Sequence, residues 1–501
     1  MTAAPFLSRR MVPQALAFAA GAASVAGFAP LYLFPLPVLA LSVLAWLGYR
    51  TAQARTAAGI GFAYGFGLFL AGVWWIYTAL HVYGAMPPVL AALAVAVFAA
   101  YLALYPALAT YAAKRFFPAA WWLAFPACWT VSEWLRGWVF TGFPWLASGY
   151  SQAPWSPLSG YGPLVGAYGV SLAVAASASA LAALAAGGVR AVRPVAAVLG
   201  LWIAGGALQQ VPWTRPVGEP LDVALVQGNV AQELKFREDR LIDTLRDYEN
   251  LVLQTAAPLV ILPETALPLL SHEVPAAYLD RLERHARATG GDLVVGVFEN
   301  DPPGSARYFN AAITLGTAPR QSYRKTHLVP FGEFIPLKPL VDPVVRGLLA
   351  IPLADQTPGG TGQRPLEVAG QRLAVNICYE DVFGEEIARQ LPEATMLANI
   401  TNDAWYGDSW AAEQHLQMSQ MRALETGRVM LRATNTGLTA AVDHRGHVAA
   451  SLPEFRQAVL TARVQGREGA TPFVLAGNVA AVLASVACLA LAWRRGRRPH
   501  G

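Results

Sequence analysis

Cysteine is nearly absent from this chain: 501 residues hold three, Cys128, Cys378 and Cys488. Two of them lie in apolar stretches. The charged part of the chain therefore has one cysteine, and an internal disulfide framework is excluded there. Charge is scarce as well. Asp, Glu, Lys and Arg make up 14% of the residues, where an ordinary soluble domain carries about 25%. Hydrophobic residues reach 55% and mean hydropathy is +0.37, so the chain reads as a membrane protein. Metal-ligand clusters of the usual spacing are missing; His444 and His447 only flank Arg445-Gly446 in what reads as a hairpin turn. A glycine loop that would cradle phosphates is missing too, which argues against nucleotide chemistry.

Charge is unevenly spread. Apolar runs of about 20 residues, enough to cross a bilayer as a helix, fall at 11–29, 31–49, 58–80, 88–112, 119–136, 161–187, 194–211 and 472–493. These are about eight expected spans. Arg9-Arg10 with the run behind it also fits a signal peptide, but the second span follows at once and the alternation below works with the first retained. Basic residues collect at every other connection: Arg9 and Arg10, Arg50 and Arg55, Lys114 and Arg115, Arg190 and Arg193, then Arg494 to Arg498. The positive-inside rule then puts both termini in the cytoplasm and residues 212–470 outside it. The net charge of +5 is thus a matter of topology, with no nucleic-acid partner implied. The expected organisation is a membrane region 1–211, a large extracytoplasmic domain 212–470, and a last span with a basic tail, 471–501. Gly61 with Gly65 and Gly162 with Gly166 read as close-packing positions between helices. The loop TGFPWLASGYSQ places Pro144 and Trp145 on the outer side.

From Leu221 the pattern becomes short β-rich runs alternating with longer polar, helix-like segments. Strands are expected at 221–229, 258–264, 291–300, 308–315, 371–380 and 394–403, and helices at 236–256, 275–289, 383–390 and 411–427. That alternation implies an α/β layered fold, in which sites gather beyond the carboxyl ends of strands. Three expected strands run into reactive residues: LVILP into Glu264, SYR into Lys325, and LAVNI into Cys378.

A thiol is mostly protonated at neutral pH and needs a base to become a nucleophile. Glu264 is a candidate base. Attack on a carbonyl creates an oxyanion, which Lys325 and the backbone N–H of Tyr379 could stabilise. Base, oxyanion stabiliser and nucleophile form a complete set for acyl transfer through a thioester. Each residue also has a plain structural reading: Glu264 as the cap of a helix starting near Thr265, Lys325 as a solvated strand end, Cys378 as core. The residues alone leave both readings open.

The motifs LPETALP, YRKTHLVPFGEFIP and NICYEDVF carry Glu264, Lys325 and Cys378 in that order. Their order and context resemble the nitrilase superfamily, whose members use a Glu-Lys-Cys triad in a four-layer αββα sandwich. VALVQGN, TNDAWYGDS, QHLQMSQMRALETGR, LRATNTG and the TGFPWL loop narrow the likeness to the bacterial apolipoprotein N-acyltransferase family. The resemblance implies an enzyme of the bacterial inner membrane with a periplasmic catalytic domain and no cofactor. Its acyl donor would be a phospholipid such as phosphatidylethanolamine, and its acceptor a diacylglyceryl-modified apolipoprotein. It further implies that Glu264 is the general base, Lys325 the oxyanion stabiliser and Cys378 the acylated nucleophile. Glu333, Tyr379 and Glu380 match supporting residues. Phe236, in QELKF, stands where relatives often carry tryptophan, so the indole N–H is lost there. Pro144, Trp145, Phe236 and Trp405 are candidate lipid contacts, Trp405 equally a core residue. The apolar segment 340–355 is expected to form a lid or membrane-dipping arm, or else a packed hairpin or helix. The rivals are a membrane-tethered amidase of the same triad, and a transporter or scaffold with an inert outer domain.

Overall fold

The structure, a computed structural model, describes residues 4–187, 192–338 and 355–496. It divides into two compact units: one of Met1–Tyr77, Pro88–Val211 and Ala476–Gly501, the other of Thr78–Pro87 and Pro212–Leu475.

The first unit is helical: Ala4–Ser24, Pro35–Arg50, Ala54–Gly72, Pro88–Phe116, Trp121–Arg136, Gly162–Ala185, Val192–Leu208 and Val479–Gly496. Among the described residues three helices are long and apolar enough to cross a membrane, or four if a bent pair is one span. That pair joins Ala54–Gly72 to Ile76–Tyr83 at 61°, where the sequence suggested one continuous span. Gly61 and Gly65 do serve close packing. A Cβ on Gly61 would lie 2.3 Å from Thr110 Oγ1, and one on Gly65 would lie 2.9 Å from Ala103 Cα. Gly166 has another use: its φ of +67° kinks the helix, a conformation that suits a residue without a Cβ. Two buried charges hold the TGFPWL loop. Arg136 Nη1 donates to the Trp145 carbonyl at 2.7 Å, and Glu133 Oε1 accepts the Ser148 amide at 2.8 Å.

The second unit is built from two sheets. Its strands are β1 (Arg215–Gln227), β2 (Leu259–Ile261), β3 (Leu267–Leu270), β4 (Asp292–Asn300), β5 (Tyr308–Gly316), β6 (Ser322–Arg324), β7 (Leu366–Val368), β8 (Gln371–Ile377), β9 (Met396–Thr401), β10 (Met430–Thr434), β11 (Ala440–Val442), β12 (Val448–Ser451) and β13 (Ala458–Glu468). The first sheet runs β13-β1-β2-β4-β5-β6 with β3 added on β4; the second runs β12-β11-β10-β9-β8-β7. Each has a parallel centre, β1-β2-β4 and β8-β9-β10, flanked by antiparallel strands. The parallel strands are apolar on both faces, as strands covered on both sides must be. Leu225, Ile261 and Val294 of the first sheet meet Val375, Ile400 and Leu431 of the second in a shared core. The opposite face of the first sheet packs on the helices Glu238–Leu253 and Ala276–Ala288. That of the second packs on Gly384–Ala388 and Ala411–Thr426. The order of layers is α-β-β-α.

The expected strands and helices of this region are present with shifted ends, and β3, β7 and β10–β13 are additional. No helix starts near Thr265; that residue turns at φ +50° and leads into β3, so Glu264 is not a helix cap. Of the apolar stretch 340–355, residues 340–354 lie outside the described residues.

Candidate active site

Glu264 lies one residue pair beyond β2, in a turn pressed against β4. Gly296 on β4 makes that possible: a Cβ there would sit 2.2 Å from the Pro263 carbonyl and 2.9 Å from Glu264 Cα. The carboxylate is 6% exposed. Its Oε1 accepts from Asn310 Nδ2 at 2.7 Å, and its Oε2 accepts the Asn402 main-chain amide at 2.9 Å. Lys325 Nζ stands 3.5 Å from the same Oε1.

Lys325 follows β6, its amide donating to the Asn310 carbonyl at 2.8 Å. The ammonium is 1% exposed and also reaches Glu333 Oε1 at 2.8 Å. Burial pulls its pKa down, but Glu333 and Glu264 outweigh that and hold it well above the ordinary lysine value. Glu333 is fixed in turn by the Val329 amide, 2.8 Å from its Oε2. The Lys325 ammonium thus lies between the carboxylates of Glu264 and Glu333.

Cys378 directly follows β8 and has φ +54°, a left-handed conformation rare for a residue with a Cβ. The strand alternation breaks at this point, and the side chain packs at the margin of the inter-sheet core. Burial and Glu264 push the thiol pKa up, with Lys325 opposing them. The thiol is therefore protonated at rest and needs the base. Glu380, in the turn Cys378–Val382, joins the two sheets. Its Oε1 accepts the amides of Thr326 at 2.6 Å and His327 at 3.1 Å, and its Oε2 accepts the Ile377 amide at 2.7 Å. Tyr323 donates its hydroxyl to both oxygens. Burial pushes this carboxyl up to about 7 against those hydrogen bonds. Tyr379 stacks edge-on against Phe383, 5.2 Å between centroids.

The structure therefore gathers Glu264, Lys325, Glu333, Cys378 and Glu380 around one point. It adds residues the sequence reading missed. Asn310 lies on β5 and braces both Glu264 and Lys325. Lys235, 3% exposed, donates to the Glu264 carbonyl at 3.0 Å, and burial brings its ammonium down to about 8. Asn310 was visible only as a single polar residue in an apolar run, and Lys235 only as one charge among several in AQELKFREDR. Phe236 is at the surface, 37% exposed. Trp405 packs edge-on against Tyr83, 5.9 Å between centroids, so the segment Thr78–Pro87 reaches this unit. Pro144 and Trp145 belong to the helical unit and are buried there, Trp145 against Trp75.

Two family models match the chain. One described as the apolipoprotein N-acyltransferase N-terminal domain covers residues 20–180, and one described as carbon-nitrogen hydrolase covers 222–473. Proteins named apolipoprotein N-acyltransferase are similar over nearly the whole length. That of Nitrosomonas europaea is 50% identical over 95% of this chain and 96% of its own. That of Chromobacterium violaceum is 45% identical over 96% and 93%, and that of Ralstonia nicotianae 45% over 98% and 95%.

Proposed function

The chain belongs to the apolipoprotein N-acyltransferase family, and from that premise we propose that Glu264, Lys325 and Cys378 carry an acyl chain from a phospholipid to an apolipoprotein. The acceptor is the α-amine of an N-terminal diacylglyceryl-cysteine, and the product is a mature lipoprotein. The observation that carries the reading is the single ammonium of Lys325, shared between Glu264 and Glu333 beside a thiol that burial keeps protonated.

In the first half-reaction Glu264 takes the thiol proton and the sulfur attacks the donor ester carbonyl. The oxyanion is held by Lys325 and the Tyr379 N–H. Collapse breaks the ester bond, and Glu264 returns the proton to the departing lysophospholipid oxygen. In the second half-reaction the α-amine attacks the thioester, Glu264 accepts a proton from its nitrogen and passes it to the departing sulfur, so the Cys378 thiol and the Glu264 carboxylate are restored as the amide forms. Glu333 and Glu380 hold Lys325 and the Cys378 strand end in place.

We assign phosphatidylethanolamine as the donor and the bacterial inner membrane as the location. The eight apolar helices of the first unit would all span, some tilted or bent. The arrangement of seven spans in 1–211, a periplasmic domain 212–470 and a last span in 471–501, with both termini cytoplasmic, is supported by the alternation of basic connections. Phe236, Pro144, Trp145 and Trp405 are proposed lipid contacts.

The test is peptide mass spectrometry of the purified chain after incubation with phosphatidylethanolamine alone. A hydroxylamine-labile acyl mass on the Cys378 peptide, absent in Cys378→Ala and discharged to an amide by a diacylglyceryl-cysteine peptide, is expected. Discharge to free fatty acid instead would make the enzyme a hydrolase, and an unmodified peptide would remove Cys378 from the mechanism.

A further inference from the structure

Acyl transfer by the groups above leaves one buried set of charges unused. The central strands of the second sheet turn Ala374, Leu397 and Met430 toward its helical layer. Two residues on, the same face carries Asn376, Asn399 and Arg432, paired in register across β8, β9 and β10. An apolar face thus becomes a polar row just before the nucleophile, and the helix Ala411–Thr426 covers it with His415 and Ser419.

His415 is 2% exposed. Its Nδ1 meets Asp403 Oδ1 at 3.0 Å and its Nε2 meets the Cys378 carbonyl at 3.2 Å. Arg432 Nη2 holds the other oxygen of Asp403 at 2.7 Å. Burial raises the Asp403 pKa, but Arg432 and His415 outweigh it and keep the group below the usual carboxylate value. A carboxylate and a carbonyl can only accept hydrogen bonds. Each ring nitrogen of His415 thus faces an acceptor, the Asp403 carboxylate on one side and the Cys378 carbonyl on the other. Asp381 closes the set, 3.7 Å from Arg432 and 4.0 Å from His415.

The Cys378 carbonyl has a second donor, Asn399 Nδ2, at 3.2 Å. A peptide unit is planar and trans, so its C=O and N–H point in opposite directions. Two donors on the helical side of the sheet thus turn the Tyr379 N–H toward the inter-sheet side, from which Glu264 and Lys325 approach. The left-handed Cys378 makes this orientation costly, because such a backbone persists only where its surroundings over-determine it.

We propose that His415 is a positioning residue for acyl transfer: with Asn399 it pins the Cys378 carbonyl and so aims the Tyr379 N–H at the developing oxyanion. The inference rests on the reading of Cys378 as the acylated nucleophile.

Two substitutions separate the donors of the ring. His415→Gln places an amide nitrogen where Nε2 stands and keeps the bond to the Cys378 carbonyl. His415→Asn places one where Nδ1 stands and keeps only the bond to Asp403. The full-length chain in detergent micelles with phosphatidylethanolamine is assayed for thioester formation, for kcat and KM with a diacylglyceryl-cysteine peptide, and for alkylation of Cys378 by iodoacetamide. Alkylation uses no oxyanion hole. His415→Asn is expected to lower thioester formation and kcat by up to about hundredfold, the loss that misplacing a catalytic group by about 1 Å can cause. Its KM and alkylation rate should stay within about twofold, and His415→Gln within about threefold of wild type throughout. Wild-type acylation by His415→Asn, or a His415→Gln loss as deep as that of His415→Asn, would overturn the inference. So would alkylation falling in step with acylation, since the residue would then only keep the nucleophile folded. Should both His415 variants fail to fold, Asn399→Ser removes the other donor to the same carbonyl and must show the same split between acylation and alkylation. A wild type that alkylates but never acylates is a different pattern: it sinks the nucleophile reading, and the inference with it.

Discussion

Asn310 Nδ2 lies 2.7 Å from Glu264 Oε1, while the main-chain carbonyl of the same asparagine accepts the Lys325 amide. One residue of β5 thus sets the distance between the Glu264 carboxylate and the Lys325 ammonium. Asn310→Ala removes the side-chain brace and leaves the backbone one. Thioester formation should fall about tenfold to hundredfold, with Cys378 still present and alkylatable. Asn310→Asp should be worse, because it puts a third carboxylate beside Glu264 and Glu333 around the Lys325 ammonium. Single-turnover acylation of the two variants checks both statements.

Glu264 has two opposed effects on Cys378. As a nearby negative charge it pushes the thiol pKa up, and as the proposed base it would enable attack. Glu264→Gln should abolish acyl transfer while moving the pH profile of iodoacetamide alkylation to lower pH. Lys325→Met should abolish transfer and move that profile upward, since the cation that lowers the thiol pKa is gone. Profiles that shift the other way would mean that the charges do not act on Cys378 as argued.

The carboxyl of Glu380 rises to about 7 on burial. A carboxyl raised in the folded state binds more protons there than when unfolded. Its contribution to stability is therefore fully present below the unfolded value and is lost as pH rises from about 4.5 to about 7. Glu380→Gln cannot titrate, and its amide turns a donor toward the main-chain amides that Glu380 now accepts. The variant should melt at lower temperature throughout, with a flatter dependence of Tm on pH between about 5 and 7 than wild type. Melting curves across that range decide the point, and parallel curves would refute it.

Gly296→Ala drives a Cβ into the Pro263 carbonyl, 2.2 Å away. Backbone cannot yield there without moving Glu264, so the change should cost about 1–3 kcal/mol of stability. Activity should fall further than the melting temperature alone would explain. Gly360→Ala, where a Cβ meets nothing within 4 Å, is the control expected to leave both nearly unchanged.

Much of this protein could be read from sequence for a physical reason. The apolar runs of β4, β5, β8 and β9 are local patterns, and so is the passage of β2, β6 and β8 into Glu264, Lys325 and Cys378. Chain-local chemistry therefore singled out Glu264, Lys325 and Cys378 as candidates before any of them had neighbours. The short strands β7, β11 and β12 escaped, because three or four residues carry too little periodicity to separate a strand from a loop. The break of the 58–80 run was hidden as well, since Trp74 and Trp75 are as apolar as a continuous span requires.

What only tertiary structure decided is which polar residues face one another. Asn376, Asn399 and Arg432 come from three segments, and nothing in each alone marks it as more than an isolated polar residue in a buried strand. Parallel pairing in register turns them into one row, and the helix Ala411–Thr426 brings His415 onto it. Asn310 and Lys235 likewise gained meaning only when β5 and the turn after β1 met the Glu264 loop. A side chain's own chemistry is written in the sequence, whereas the partners that orient it, charge it or bury it come from strands paired far apart along the chain.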